Sequence, residues 1–387
     1  MNMKTYLTDD ILKFWVENSI DKENGGIFTS LDRDGSVYGT DKSVWFQGRA
    51  LWTFSKAYNM VEKKEEYLSF AKSLYEFLPK CTDTDGRMFF SVTAQGSELQ
   101  KRRYYYSETF AAIGCAEYYK ATGDKSVLAD AEKYFDVAYS LYKNPELSTP
   151  KFNPQNAPYK AVAPSMIMLN TAQIMLTASE NKERYTSICK ECMEEIMHGG
   201  YVKSELGGML EQVKLDGSFE DKPSTRVVNP GHSLECAWFL MAAGLTFGNE
   251  EALLKGKEII DITMPLGTDK IHGGLISFTD ISGKPPVALE WDMKLWWPQC
   301  ETIIANRLAY KIFGEEKYLD NYNAFLDYAM KNFADKEFGE WYGYLHYDNT
   351  VAHSLKGNLF KGPFHLPRMI MILHDFEENG NMNKFLL

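Results

Sequence analysis

The sequence predicts an all-α protein folded as an (α/α)6 barrel, with six inner helices, six outer helices and short β-hairpins in the loops on one face. Three observations predict this fold: a glycine-containing hairpin motif at near-constant spacing, paired amphipathic helical patterns between the motifs, and a further amphipathic segment near the N-terminus. Repeats that each leave an apolar face uncovered are stable only when neighbours stack, and six stacked helix pairs can close into a ring.

The hairpin motif consists of a short apolar strand, a turn and often a second strand. Its five copies begin at Gly25, Asp85, Gly207, Gly273 and Gly339. Successive copies are separated by 60, 122, 66 and 66 residues, so the longest interval spans two repeats. The missing copy falls near residues 145 to 160, where the chain is rich in Pro and Asn and we expect a degenerate loop.

Between the motifs, apolar residues recur with the 3.6-residue period of a helix buried on one face, as in Tyr67, Phe70, Ala71 and Leu74. The first helix of each pair is predicted to start near Lys42, Tyr106, Pro164, Gly231, Lys294 and Gly362. The second helices are predicted to start near Lys64, Lys125, Asn181, Glu250 and Glu316. The sixth pair lacks its second helix, and the amphipathic segment from Tyr6 to Asn18 is predicted to supply it.

No linker or shift in composition divides the chain, so residues 1–387 are predicted to form a single (α/α)6-barrel domain. An open solenoid of helix pairs is the alternative fold. Its repeats would not need strand-containing loops on one face, so the closed ring is favoured.

Charge and composition exclude several classes of function. A net charge of -11 argues against nucleic-acid binding, which needs a basic face. No N-terminal signal segment and no stretch near the roughly 18 apolar residues of a membrane span is present, so we expect no membrane partner and a cytoplasmic protein. Six cysteines without any Asn-x-Ser/Thr site fit a reducing compartment, and Cys189 and Cys192 lie in a helical pattern without a second ligand pair.

In such a barrel the inner helices direct one end toward a shared cavity that the hairpins surround. The candidate site residues are therefore the polar residues near the inner-helix starts: Arg49, Glu108, Asn170, His232, Glu235, Glu301 and His365. Aromatic residues make up 14% of the chain, and Trp45 and Trp297 near two of these starts suit a cleft that stacks against sugar rings.

Two of the seven histidines, His232 and His365, occupy such positions, on the fourth and sixth inner helices. They could face one substrate from different sides, as inversion of a carbon centre requires, and histidine suits both the acid and the base role. Glu235, on the same helical face as His232, or Glu301, on the intervening helix, could hydrogen-bond an imidazole. Arg49 could hold an oxygen on which negative charge develops.

Four segments carry a family resemblance: Trp45-Phe-Gln-Gly-Arg-Ala-Leu-Trp, Asn229-Pro-Gly-His-Ser-Leu-Glu, Lys294-Leu-Trp-Trp-Pro-Gln-Cys-Glu and Lys361-Gly-Pro-Phe-His-Leu-Pro-Arg. In these motifs the chain resembles the N-acylglucosamine 2-epimerase family, from about residue 20 to 370. The resemblance implies the (α/α)6 fold, and it implies that the residues matching the family's essential arginine, histidines and glutamate are Arg49, His232, His365 and Glu301.

The resemblance further implies interconversion of N-acetylglucosamine and N-acetylmannosamine through ring opening, proton removal at C2 and an enolate intermediate. That chemistry requires no metal or nicotinamide. Some members of the family respond to ATP as an effector, and a possible ATP effect stays open because the chain lacks a Gly-x-x-x-x-Gly-Lys loop. The exposed helical faces lead us to expect a homodimer.

Three alternatives remain at this point. A cellobiose 2-epimerase or a mannose isomerase would use the same histidine pair, but cellobiose enzymes typically carry Tyr-His-Asn where this chain has Phe364-His365-Leu366. An inverting glycosidase would need two carboxylates, from Glu108, Glu235 and Glu301, about 6.5–9.5 Å apart. The resembled family also includes a protein described as binding renin, so a non-catalytic binding protein is the third alternative.

Overall fold

The fold is a ring of helix pairs, seen in a computed structural model that describes residues 2–102, 104–148 and 157–380. The six inner helices are α2 (Val44–Met60), α4 (Tyr106–Thr122), α6 (Ala163–Ala178), α8 (Pro230–Phe247), α10 (Trp296–Phe313) and α12 (His365–Asn379). Five outer helices are α3 (Glu65–Phe77), α5 (Lys125–Lys143), α7 (Lys182–His198), α9 (Glu250–Gly267) and α11 (Glu316–Asn332). Short 3-10 turns cover Leu78–Cys81 and Pro145–Leu147.

The sixth outer helix, α1, comes from the N-terminus and spans Met3–Tyr6, a π-helical Leu7–Leu12 and Lys13–Asn18. It packs against α12 and closes the ring. The Trp15 indole donates to Glu340 Oε2 at 2.7 Å, and the Trp341 indole donates to the Tyr6 hydroxyl at 2.7 Å. The predicted (α/α)6 barrel, with its N-terminal closing helix, is confirmed.

Inner and outer helices differ in the sequence pattern that buries them. On the outer helix α5, Val127, Ala131, Phe135 and Ala138 form one buried stripe, as expected for a helix with a solvent face. On the inner helix α8, every residue from Ser233 to Gly244 is buried. This inner helix is therefore covered on all sides along most of its length. Among the described residues, no helix combines the length and apolarity that a membrane span needs.

The predicted hairpins are present, but many of their strands pair between repeats. The strands are Ser30–Leu31, Val37–Gly39, Lys42–Ser43, Ser91–Val92, Glu98–Gln100, Tyr159–Ala161, Val202–Lys203, Gly208–Met209, Gln212–Lys214, Val227–Val228, Thr279–Asp280, Lys294–Leu295 and Tyr344–Leu345.

The strand just before α2, Lys42–Ser43, pairs with the strand Ser91–Val92 of the next repeat. The strand Lys294–Leu295 pairs in the same way with Tyr344–Leu345. Strands of two or three residues are too short to be stable alone, so neighbouring repeats supply each other's partners. Of the degenerate loop predicted near residues 145 to 160, residues 149–156 lie outside the described residues.

A buried lysine fastens the hairpin in three repeats. Lys42 pairs with Asp21 at 2.7 Å, Lys294 with Asp269 at 2.7 Å and Lys356 with Asp335 at 3.0 Å. All three ammonium groups are buried, so each needs its carboxylate and the surrounding carbonyl acceptors. The hairpin end of the ring is thus held by internal ion pairs and can position side chains firmly.

Helices α2 and α4 approach so closely that their backbones touch. A Cβ atom on Gly48 would lie 2.5 Å from the Phe110 carbonyl carbon, and one on Gly114 would lie 2.6 Å from Gly48 O. Only glycine fits such an approach. The contact fixes the neighbouring residues Arg49 and Phe110 relative to each other.

Replacement of Gly48 with alanine is expected to lower the free energy of unfolding by about 1–3 kcal/mol, the usual effect of overpacking. In an isolated helix the same change would stabilise by about 1 kcal/mol, so the helix contact reverses the sign. Chemical denaturation measures the effect, with Ser69→Ala on the exposed face of α3 as a control expected to stay within about 0.5 kcal/mol. A stabilised Gly48→Ala protein would contradict the close approach.

Candidate active site

A cavity opens at the N-terminal ends of the inner helices. Its larger part has a volume of about 680 Å³, and an adjoining part of about 200 Å³ reaches His365. Both parts are lined by Trp45, Arg49, His232 and Glu235. This size lies within the usual range for small-molecule sites. The hairpin ends of all six inner helices therefore meet at one cavity, as the sequence predicts.

His365, at the start of α12, is buried at the inner end of this cavity. Its Nδ1 lies 2.8 Å from Glu301 Oε1 on α10. A carboxylate only accepts hydrogen bonds, so Nδ1 carries the proton and Nε2 keeps its lone pair. Burial, reinforced by the positive charges of Arg49 and Arg368, lowers the pKa of His365 well below its usual range. The imidazole is therefore neutral at pH 7 and suited to act as a base.

His232, near the start of α8, has a different environment. Its Nδ1 lies 3.1 Å from each carboxylate oxygen of Glu211, a residue between two hairpin strands. Burial pushes the pKa of His232 down, but the carboxylates of Glu211, Glu235 and Glu301 push it up more strongly, and the net pKa is raised. This imidazole is thus the more basic of the two and the better store for a proton.

The indole of Trp297 lies beside both imidazoles. Its ring centre is 5.2 Å from that of His232 and 5.7 Å from that of His365, and it is tilted by about 40° to both. A Cβ atom on Gly231 would lie 2.7 Å from this indole, so glycine is needed for the ring to fit. Both histidines therefore lie near one aromatic surface that could carry a sugar.

Arg49 reaches the same cavity inside a group of aromatic rings. The carbon of its guanidinium lies 4.0 Å from the centre of the Phe110 ring and 4.7 Å from that of Phe364. Among the described residues, its Nε has no hydrogen-bond partner. Burial lowers the pKa of Arg49 to about 9. The group is still charged at pH 7, and its donors are available to an oxygen of a ligand.

Arg368, one turn after His365, holds the two carboxylates beneath the cavity. Its Nη2 donates to Glu235 Oε1 at 2.6 Å and to Glu301 Oε1 at 2.7 Å. Ligand atoms of Glu235, Glu301 and His365 lie within 4.8 Å of one another, a grouping that could hold a metal ion. Here the guanidinium already supplies the positive charge between the carboxylates.

The same arrangement bears on the glycosidase alternative. Inverting hydrolysis needs two carboxyl groups about 6.5–9.5 Å apart, one of them protonated. Glu235 and Glu301 both accept from one nitrogen of Arg368, so they are too close together and neither is free to act as the acid. The geometry does not support an inverting glycosidase.

Two of the predicted substrate-binding residues lie outside this cavity. Glu108 accepts from Met88 N at 2.9 Å and from Arg87 Nε at 2.6 Å, and so anchors a hairpin. Asn170 lines a separate, deeper cavity with Lys56 and Glu117. That these two side chains bind substrate stays a prediction: one oxygen of Glu108 anchors a hairpin, and Asn170 lines the other cavity.

Repeat position explains which predicted residues reach the cavity. Arg49, Glu235 and Glu301 are each the sixth residue of their helices. Gln47 lies two residues before Arg49, and Gln299 lies two residues before Glu301. Both bond to backbone groups of their hairpins, and Glu108 near the start of α4 does the same. One place in the repeat therefore holds the hairpin, and the place two residues later lies at the cavity or directly beneath it.

Comparison with known proteins gives the family. The sequence profile of the N-acylglucosamine 2-epimerase (GlcNAc 2-epimerase) family matches residues 26–361. The chain is 33% identical over 373 residues to N-acylglucosamine 2-epimerase from Rattus norvegicus, covering 94% of this chain and 88% of that protein. The chain belongs to the N-acylglucosamine 2-epimerase family. It is an epimerase, as the resemblance in the sequence motifs implied.

More distant members of the family share the fold. Cellobiose 2-epimerase from Dictyoglomus turgidum is 24% identical, with 95% of each chain covered. The solved structure of cellobiose 2-epimerase from Bacillus thermoamylovorans B4167 superposes with a TM-score of 0.83 at 21% identity, covering 96% of this chain and 98% of that one. The non-catalytic alternative is not favoured by these relatives, which are epimerases.

Two residues of this epimerase's site were missed by sequence reasoning. Glu211 lies next to a hairpin strand, and the strand pattern gave no sign that its side chain meets His232. Arg368 lies within the quoted C-terminal motif, one turn after His365 on the same helix face, and that spacing could have identified it. Glu235, predicted as a possible partner of an imidazole, instead bonds to Arg368.

Proposed function

We propose that this protein interconverts N-acetyl-D-glucosamine and N-acetyl-D-mannosamine by moving a proton at C2 of the open-chain sugar. The observation that carries the proposal is the pair of imidazoles beside Trp297, His365 with a lowered pKa and His232 with a raised pKa. The relatives named N-acylglucosamine 2-epimerase support the choice of an amino sugar.

In the proposed reaction, Nε2 of His365 takes the proton from C2 of the aldehyde form. The electron pair of the broken C–H bond forms a C1–C2 double bond, and the carbonyl electrons move onto O1. Arg49 stabilises that oxygen with its free donors. The His232 imidazolium then returns a proton to C2 on the opposite face, and the carbonyl re-forms. His365 ends protonated and His232 neutral, which is the starting state for the reverse reaction.

This sequence of steps needs no metal ion and no nicotinamide, and we propose that none is required. Only a proton changes place, and the negative charge of the intermediate is met by Arg49. The acid and base roles are filled by the two histidines, each typically worth about 10²–10⁴ in rate.

Incorporation of deuterium tests the proposal. In D2O the purified protein is expected to place deuterium on C2 of N-acetylmannosamine as it forms N-acetylglucosamine, which NMR detects. Cellobiose and mannose serve as parallel substrates, because related members of the fold are described as acting on them. Exchange with either of these sugars but not with the N-acetyl sugar would show that the assigned substrate is wrong.

We also propose that the protein acts in the cytoplasm as a homodimer on a small-molecule amino sugar, with ATP as a possible allosteric activator. The acidic net charge and the cysteines, all free and buried, support a reducing compartment. Light scattering on the purified protein tests the dimer. Initial rates measured with and without ATP test the activation.

A further inference from the structure

We infer that Glu211 is the positioning residue of His232, and that it keeps the two imidazoles in opposite protonation states before substrate binds. The inference rests on the proposed function for its catalytic meaning. It is carried by a difference between the two histidines: the carboxylate partner of His365 is shared with other groups, and that of His232 is not.

Glu211 is held firmly by its backbone. It lies between the strands Gly208–Met209 and Gln212–Lys214; its amide donates to Val227 O at 3.3 Å, and its carbonyl accepts from Val162 N at 3.2 Å. The segments that precede α8 and α6 are thus both bonded to this one residue. The backbone of Glu211 is therefore held in place, and both oxygens of its carboxylate lie 3.1 Å from Nδ1 of His232.

The two carboxylate partners differ in what else they bind. Glu301 accepts from His365, from Arg368 Nη2 at 2.7 Å and from the Trp238 indole at 2.7 Å, so its negative charge is shared. Within the described ranges, Glu211 makes an ion pair with His232 and with no other residue. The full charge of Glu211 therefore acts on one imidazole.

The surrounding charges reinforce this difference. The groups that act on His232 are the carboxylates of Glu211, Glu235 and Glu301, and they raise its pKa against the opposing effect of burial. His365 is buried beside the guanidinium groups of Arg49 and Arg368, which lower its pKa further, while Glu235 opposes them. Carboxylates dominate around one histidine and guanidinium groups around the other.

The free enzyme is therefore prepared for proton transfer in one direction. His232, whose pKa is raised, holds a proton more readily than His365, whose pKa is lowered, so the epimer whose C2 proton faces His365 reacts without prior proton rearrangement. Because the raised pKa of His232 keeps the acid form, this direction of reaction is retained at low pH and lost as pH rises through that pKa. Because the charge of Glu211 raises the pKa of His232, it sets the pH at which this direction of reaction is lost.

The test is Glu211→Gln, which keeps the size of the side chain and an acceptor for Nδ1–H but removes the charge. The alkaline limb of kcat/KM is expected to move to lower pH, and kcat is expected to fall by about 10–100-fold, the usual effect of removing an outer carboxylate partner. KM should change little, because Glu211 acts through His232. Glu205→Gln removes the same charge from the exposed turn of the neighbouring hairpin and should leave the profile unchanged.

A second measurement separates this inference from the proposed function. NMR titration of the His232 imidazole, assigned with His232→Asn, needs no substrate, and its midpoint should fall in Glu211→Gln relative to wild type. Wild-type protein that exchanges no C2 proton, but shows this shift, would sink the proposed substrate and keep the positioning role. An unchanged midpoint together with an unchanged pH profile would overturn the inference.

Discussion

Replacement of His365 with asparagine is expected to lower kcat for epimerisation by about 10²–10⁴-fold, because the neutral imidazole is the base that removes the C2 proton. Asparagine is smaller and polar, so the buried site near Glu301 still receives a donor. Steady-state rates in both directions measure the loss. His198→Asn, on the exposed end of α7, is the matched control and should keep the wild-type rate.

The same variant gives a sharper result in D2O. With His365 gone, His232 can still remove and return a proton on its own face of C2. One epimer should therefore exchange its C2 proton with solvent without being converted, and the other should not exchange. Equal exchange of both epimers by His365→Asn would contradict the assignment of one histidine to each face.

The second large effect is expected from Arg368→Gln. The guanidinium is the positive charge between the carboxylates of Glu235 and Glu301, and both are buried. Removing one member of a buried ionic group leaves unbalanced charge, which typically lowers the free energy of unfolding by about 3–5 kcal/mol. Chemical denaturation at pH 7 measures the change. The deficit should shrink at lower pH, where a carboxyl group can take up a proton.

Lys143→Gln is the control for this prediction. Its ion pair with Glu191 lies at the surface, with 45% of the lysine side chain and 40% of the glutamate side chain exposed. Solvent screens such a pair, so the change should stay within about 1 kcal/mol. An Arg368→Gln protein as stable as this control would show that another group balances the two carboxylates.

The sequence was sufficient for the fold because its signals are local and repeated. Helical periodicity placed the inner-helix starts within three residues, from Tyr106 and Pro164 through Gly362. Helical periodicity could not predict that the strand Lys42–Ser43 pairs with the strand Ser91–Val92. The partners of a two-residue strand are chosen by the stacking of repeats, which no local pattern records.

Site residues that occupy a repeated position on the inner helices could be predicted from the sequence. A site residue whose contact depends on strand pairing could not. Arg49, Glu235 and Glu301 share one place in their helices, so a search near helix starts finds them. The same search included Glu108, whose side chain turns toward the hairpin in this structure. Glu211 contacts His232 because its backbone is hydrogen-bonded to Val227 and to Val162, and these tertiary contacts have no local sequence signal.

Closure of the ring by α1 has a consequence for how the protein is made. Trp15 and Tyr6 bond to Glu340 and Trp341, more than 300 residues later in the chain. During synthesis α1 emerges long before its partners, and its buried face must wait until Glu340 and Trp341 have been made. Contacts of such long sequence separation form slowly. We therefore expect the helix pairs to form an open arc first, and the docking of α1 to complete the barrel as a late step of folding.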